Sequence, residues 1–324
     1  MLIYCLALGG FMQNQFTAFE KATNNQAYKM AFNDLWMRRD KKDPEKFIGN
    51  TQRQDFLTYL APIIEKLGPH PHIFDFGAGA GEIVDVLLHK LSEATLHLEE
   101  PNQILMDAYI NRLKKYPHLK KGSSSLEKLQ NMELPKELIN QVDLALGLHM
   151  IYHFDEEELS SSLASMYNLL KVGGKIFLVY ADQEQSTTGL AAQYYYKQLG
   201  QDKASNELQS VWATRNRLLK DGGIASILDK RFSEFQASVT SQSLSSYIFA
   251  DQKSEIAIMC LTGELGTVDN RPFEMDKLHH CLNFVSEKAS DIGLAVKKNE
   301  VTQQNMLRAN QPQVVTVIEK KVRP

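Results

Sequence analysis

The chain has 324 residues, a formal net charge of -3 and 43% hydrophobic residues, an ordinary balance for a globular protein with one large domain. That charge gives no global basic field for nucleic acid, and clusters such as Arg38-Arg39 and Lys120-Lys121 are diluted by acids or apolar residues. The cysteines, Cys5, Cys260 and Cys281, lack C-x-x-C spacing, which argues against a disulfide framework or zinc site and for a reducing, cytoplasmic setting.

The opening MLIYCLALGGFM is apolar but has no positively charged lead and is too short to span a membrane; it reads as lying ahead of a start at Met12. Residues 13–36 carry Phe16, Phe19, Ala22, Ala27, Met30 and Leu35 at helical spacing. Residues 52–67 predict a second amphipathic helix, stopped by Gly68-Pro69. An alternation follows. HIFDF reads as a buried strand, 80–91 as a helix, ATLHLE as a strand and 102–115 as a helix. SSSLEKLQNM is a loop or short helix, VDLALGL a strand, 155–171 a helix and KIFLVYA a strand after Gly173-Gly174. Strand and helix alternating at this pitch predict an α/β fold, a doubly wound parallel sheet with helices on both faces.

Beyond residue 182 the rhythm loosens. Residues 186–221 read as mostly helical, 234–249 as strand-like, 273–291 as helical, and QVVTVIEKK as a final strand expected at the sheet edge. No proline- or glycine-rich linker divides the chain, so a single domain over 1–324 is expected. It comprises an N-terminal helical segment (12–50), a ligand-binding core (51–182) and a C-terminal part (183–324) covering the ligand crevice.

The chemistry concentrates in IFDFGAGAGEIVDVLL, residues 73–88. Asp75, Gly77, Gly79 and Gly81 fall at the carboxyl end of the first strand of the alternation, where open α/β sheets bind ligands. Glycines there allow positive φ and a close backbone approach. The dinucleotide fingerprint G-x-G-x-x-G is one reading, but its last glycine position holds Glu82, and Glu82 and Asp85 at the helix start disfavour a pyrophosphate. A nucleoside carrying an amino acid fits better; a tight turn without a ligand is the third reading. The second strand ends LHLEEPNQ, and either nucleoside ligand needs a carboxylate here for the ribose hydroxyls. Glu100 is the better candidate, because Glu99 should point to the opposite face.

DFGAGAGE, EPNQ and LLKVGGKIFLV together resemble the class I S-adenosylmethionine-dependent methyltransferases over about residues 50–182. The resemblance implies a Rossmann-like seven-stranded sheet with an antiparallel last strand, and S-adenosylmethionine bound over Gly77–Gly81. GAGAGEIVDVLL, EEPNQ, LHMIYHF, LASMYNLLKVGGKIFLVY and NQPQVVTVIE, with FTAFEKATNNQ near the start, are similar to histamine N-methyltransferase and its relatives. That resemblance implies cofactor contacts from Gly77, Glu100, Gln103, Ser124 and Ile151. The family's amine-holding glutamate, glutamine and asparagine align with Asn24 or Asn25, with Tyr152, and with Gln311 or its neighbour Asn310. The anionic partner for an ammonium is lost in these replacements. The resemblance therefore implies methyl transfer to a small molecule, through an amine nitrogen or, alternatively, an oxygen or carbon, or cofactor binding without catalysis.

Tyr152, His149 and His153, just after the fourth strand, are the candidates for work at the transferred methyl group. Tyr152 is a substrate contact first; the histidines are candidate bases. The four-residue spacing of His149 and His153 has no third metal ligand and no H-E-x-x-H context, so no metal is expected. QYYYKQ at 193–198 is core packing, a lid or a cation–π cage. The fourth strand lacks the N/D-P-P-Y/F signature for planar nitrogens, which again points away from nucleic acid and towards a small-molecule partner.

Overall fold

A computed structural model describes residues 17–43, 46–151, 154, 156–182, 184–199, 223–231, 237–264 and 270–321. The N-terminal helix α1 (Asn24–Lys29) runs on as a wider π-turn, Met30–Trp36, and α2 is Gln52–Ile64. Then come β1 (His72–Phe76), α3 (Glu82–Val86), β2 (Ala94–Glu99), α4 (Gln103–Leu113), β3 (Leu119–Ser125) and β4 (Val142–Leu148). They are followed by α5 (Glu156–Leu169), β5 (Leu170–Ala181), α6 (Thr187–Leu199), α7 (Gly223–Arg231), β6 (Ala237–Leu244) and β7 (Tyr247–Ala250). The chain continues through α8 (Lys253–Glu264), α9 (Met275–Glu287), β8 (Ala295–Lys298), β9 (Asn305–Asn310) and β10 (Gln313–Lys320). It divides into two compact units.

One unit holds a seven-stranded sheet in the order β3-β2-β1-β4-β5-β10-β6. β1 pairs parallel with β2 and β4, whereas β10 runs antiparallel to both β5 and β6. The central strands are near-continuous apolar runs because helices cover both faces. Alternation along β1 sends Ile73 to one core, with Leu96, Leu98, Tyr109 and Leu144, and Phe74 and Phe76 to the other, with Leu129, Ala145, Leu163 and Ile176. This is the Rossmann-like, doubly wound α/β sheet with an antiparallel strand that the sequence implied.

The other unit packs Phe19, Ala27, Ala31 and Trp36 against Ile256–Leu261 of α8 and Leu278, Cys281 and Phe284 of α9. Trp36 Nε1 donates to the Met259 carbonyl at 3.2 Å. A three-stranded antiparallel sheet, β7-β9-β8, completes it.

Several expectations are corrected. The last strand does not lie at the sheet edge: β10 is inserted between β5 and β6, and β6 forms the edge. The helix expected over 80–91 breaks at Leu87 (φ -144°, ψ -52°), leaving α3 and a single 3₁₀ turn. The stretch SSS is the end of β3 rather than a loop, since its amides and carbonyls pair with β2. Among the described residues no helix is long and apolar enough to cross a membrane.

Candidate functional site

At the carboxyl edge of β1 the chain turns through Gly77, Gly79 and Gly81, with φ of 59°, 56° and 73°. These are left-handed values that a side chain resists. Space constrains the glycines differently. A Cβ on Gly77 would lie 2.5 Å from Met150 Cβ, and one on Gly81 2.5 Å from the Tyr109 ring, whereas one on Gly79 meets nothing within 4 Å. Gly77 and Gly81 are therefore fixed by the protein's own packing, and Gly79 faces open space.

Three successive amides of this turn are held by the end of β2. Gly77 N donates to Glu99 Oε2 at 2.8 Å, Ala78 N to the Glu99 carbonyl at 2.9 Å and Gly79 N to Glu100 Oε2 at 2.9 Å. The other oxygens of both glutamates are also used: Glu99 Oε1 accepts from Leu129 N at 3.1 Å and Glu100 Oε1 from Asn102 N at 2.9 Å. Asn102 itself caps α4, its Oδ1 accepting from Ile104 N and Leu105 N.

The sequence argument placed Glu99 away from the glycines, and this is corrected. Strand alternation does send its side chain to the face of Leu129, but the glycine turn passes over the edge of the sheet, where carboxylates from either face reach it.

Asp75 is buried and accepts a hydrogen bond from the Tyr109 hydroxyl at 3.1 Å. Burial pushes its carboxyl up to about 8; Glu100, Glu82 and Glu99 add to the rise and the Tyr109 bond opposes it. Burial also lifts Glu99 to about 7, with Glu100 adding and the amides of Gly77 and Leu129 opposing. Nearby cations are directed elsewhere: Arg53 to Glu82 at 3.7 Å, and Arg112 to Asp85 and the Ala80 carbonyl.

The remaining expected cofactor contacts lie in the same unit. Gln103 is exposed at the first turn of α4 and bonds Asp107 at 2.8 Å. Within the serine run, Ser123 Oγ meets His97 Nδ1 and Ser125 Oγ accepts from Glu127 N, while the Ser124 side chain is exposed. Ile151 is buried with Phe74, Phe76 and Met150, so only its backbone remains for a ligand.

His149 sits at the end of β4 with φ 58°, its amide donating to Val179 O at 2.8 Å and its ring against Phe56. Burial lowers its pKa to about 4, with the Arg53 charge adding and a Gln313 hydrogen bond opposing. The ring is thus neutral at pH 7 and a weak base. Tyr152 and His153 lie outside the described residues.

Asn24, Asn25 and Gln311 belong to the other unit. Asn24 is buried; Asn25 is exposed and donates to Asn270 Oδ1 at 2.8 Å. Both ends of the buried Gln311 amide meet Thr188, Nε2 donating to its hydroxyl at 2.8 Å and Oε1 accepting from its amide at 3.2 Å. In QYYYKQ, Tyr195 packs edge-on to His280 and the Tyr194 hydroxyl donates to Glu287, so these two rings serve helix packing.

Sequence reasoning missed Glu99 and Tyr109. For Glu99 the available signal was a second glutamate where the strand ends. For Tyr109 it was an aromatic on the inner face of α4, opposite a glycine.

No family model and no curated protein matches the chain. Solved structures do. YcgJ of Bacillus subtilis aligns over 82% of this chain and 99% of its own, at 12% identity and a TM-score of 0.48. Phosphoethanolamine N-methyltransferase 2 of Haemonchus contortus, solved with S-adenosyl-L-methionine, aligns over 91% of this chain and 56% of its own, at 13% identity and a TM-score of 0.45. An S-adenosylmethionine-dependent methyltransferase of Leishmania major aligns over 39% and 49%, at 23% identity and a TM-score of 0.33. The fold assignment rests on the sheet itself, with β10 inserted antiparallel between β5 and β6.

Proposed function

We propose that this chain is an S-adenosylmethionine-dependent methyltransferase acting on a small molecule, with an amine nitrogen as the acceptor. The observation that carries the reading is the occupied glycine turn. The amides of Gly77, Ala78 and Gly79 already donate to Glu99 and Glu100, so a phosphate would find those donors taken. It would also meet the charges of Glu82 and Glu100, which help to hold the Asp75 carboxyl in its protonated form, so the site repels an anion and favours a cationic sulfonium carrying its own ammonium.

The residues fit this cofactor. Each Glu100 oxygen accepts one amide and keeps a lone pair for a ribose hydroxyl. Gly79 leaves open space for a close approach, and Ser124 and Gln103 are exposed on neighbouring elements. When bound, the cofactor supplies a methyl group on a positively charged sulfur. Alignment of acceptor and methyl can contribute roughly 7–11 kcal/mol, which asks little of side chains. An amine must attack unprotonated, and His149, with a pKa near 4, is poorly suited to take its proton. The sequence offers Asn24 or Asn25, Tyr152 and Gln311 where the similar family holds its amine, and none of them is a carboxylate. The missing carboxylate costs a cationic amine about 1.5–3 kcal/mol, so histamine is expected to be a poor substrate.

Calorimetry with S-adenosylmethionine tests the first half. Glu100→Ala should weaken binding by about 2–3 kcal/mol, roughly 30- to 150-fold. Absence of binding to the unaltered chain would overturn the proposal. A transfer assay with histamine, other amines, amino acids and phenols tests the second half. Turnover of histamine at micromolar KM would remove the claim of a changed pocket. Phenol turnover would shift the acceptor to oxygen, and binding without any transfer would leave a cofactor-binding protein.

A further inference from the structure

We propose that Glu99 is a positioning residue: its carboxylate staples the glycine turn after β1 to the turn after β3, and only its ionised form holds both. The inference deepens the cofactor reading above and rests on it. Glu99 Oε2 takes Gly77 N at 2.8 Å while Oε1 takes Leu129 N at 3.1 Å, so one side chain spans two loops that converge on the candidate site. A carboxylate has only acceptors to offer these two amides. Adding a proton makes one oxygen a much poorer acceptor for its N–H and loosens one loop.

The surroundings oppose ionisation. Glu99 is 2% exposed, with Glu100 beside it and Asp75 on β1 coupled to it; Glu82, opening α3, acts on Asp75. Arg53 and Arg112 are engaged by Glu82 and Asp85. On the turn after β3, Glu127 and Lys128 are exposed, and Gln130 links that turn to Glu158 of α5 at 3.2 Å. A pKa near 7 places loss of the staple within the physiological range, so cofactor affinity should rise with pH as Glu99 gives up its proton.

The experiment compares the full chain with Glu99→Gln, which keeps size and one acceptor but presents a donor to the other amide. Amide hydrogen exchange at Gly77 and Leu129 reads the staple without cofactor; both should exchange at least several-fold faster in the variant. Calorimetry with S-adenosylmethionine from about pH 6 to about pH 8 reads the consequence. The unaltered chain should bind several-fold more tightly at the upper end. Glu99→Gln should be on the order of tenfold weaker there, with a flatter profile than the unaltered chain.

Leu129→Pro removes the second donor where Lys128 is already extended (ψ 141°), a conformation suited to precede proline; it also removes a buried side chain, so it serves only as a background in which Glu99 variants are compared, once its fold is verified. In that background Glu99→Gln should lose most of its effect, because the two changes break one link. Unchanged exchange in Glu99→Gln, or an equal effect on affinity in both backgrounds, overturns the staple. Faster exchange in a chain that binds no cofactor would keep the staple and remove the cofactor reading instead.

Discussion

Asp143, near the amino end of β4, and Asp75, near the carboxyl end of β1, are both buried carboxylates in one sheet, and the protein treats them in opposite ways. Asp143 is neutralised: Lys171 pairs with it and His72 N donates to it at 2.9 Å. At the same end of the sheet Lys320 Nζ donates to Asn140 Oδ1 at 2.7 Å and the Leu170 carbonyl at 2.8 Å. At the carboxyl edge, no described cation pairs with Asp75, Glu99 or Glu100. Asp75 and Glu99 resist ionising there, so that edge disfavours added negative charge, and a cationic ligand would favour their ionised forms. One end of the sheet pairs its buried carboxylate with a cation; the other leaves its acids without a described one.

The sharpest way to break this comparison is within the glycine turn. Gly81→Ala should lower stability by roughly 2–4 kcal/mol, since its Cβ would strike the Tyr109 ring at a left-handed φ of 73°. Gly79→Ala should cost only about 1–2 kcal/mol, the price of the left-handed backbone, yet weaken cofactor binding far more than that because its Cβ enters the open space. Thermal melts and calorimetry on both variants decide it. Equal losses of stability would mean that the space above Gly79 serves packing after all.

A smaller effect separates the two aspartates. Asp75 titrates near 8 in the folded chain and near 4 when unfolded, so its contribution to stability is fully present below about pH 4 and lost as pH rises through about 8. Asp75→Asn should therefore melt several degrees higher than the unaltered chain at about pH 9, with the advantage shrinking as pH falls and gone only at about pH 4. Asp143→Asn should instead melt slightly lower, by about 0.5–1 kcal/mol, since it gives up a half-exposed ion pair. A gain in stability at Asp143, or a loss at Asp75 in alkali, would erase the contrast.

The smallest effect is expected at Glu319, whose carboxyl is held below the usual range by hydrogen bonds from Lys175 and Lys321. Glu319→Gln should cost under about 1 kcal/mol in a denaturant melt, as exposed pairs do.

The parallel core was legible because each buried strand is a short apolar run followed by a helical pattern, as in HIFDF before 82–86 and VDLALGL before 156–169. The left-handed turn at Gly77, Gly79 and Gly81, with Glu100 beside it, was legible as geometry because a chain that turns this tightly after a strand calls for glycine. Other parts gave no periodic signal. α8 is buried almost all round from Ile256 to Leu261, so it shows no amphipathic stripe, and β8 is four residues long and mostly exposed on an outer strand. The end of β3 is three serines, which alternation cannot mark. The role of Glu99 was hidden for a different reason: strand periodicity gives the face a side chain leaves from, but not where a neighbouring loop will cross the edge.

The insertion of β10 between β5 and β6 also governs how the chain can assemble. β5 and β6 are complete by residue 244, but β5, paired on one side with β4, has no partner on its other side, and β6 none at all, until residues 313–320 have been synthesised and placed between them. Until then the nascent protein presents two unpaired strand borders, both competent to recruit another chain. The sheet closes last through its most distant pairing in sequence, which favours slow folding and makes the interval before closure the period of greatest exposure to aggregation.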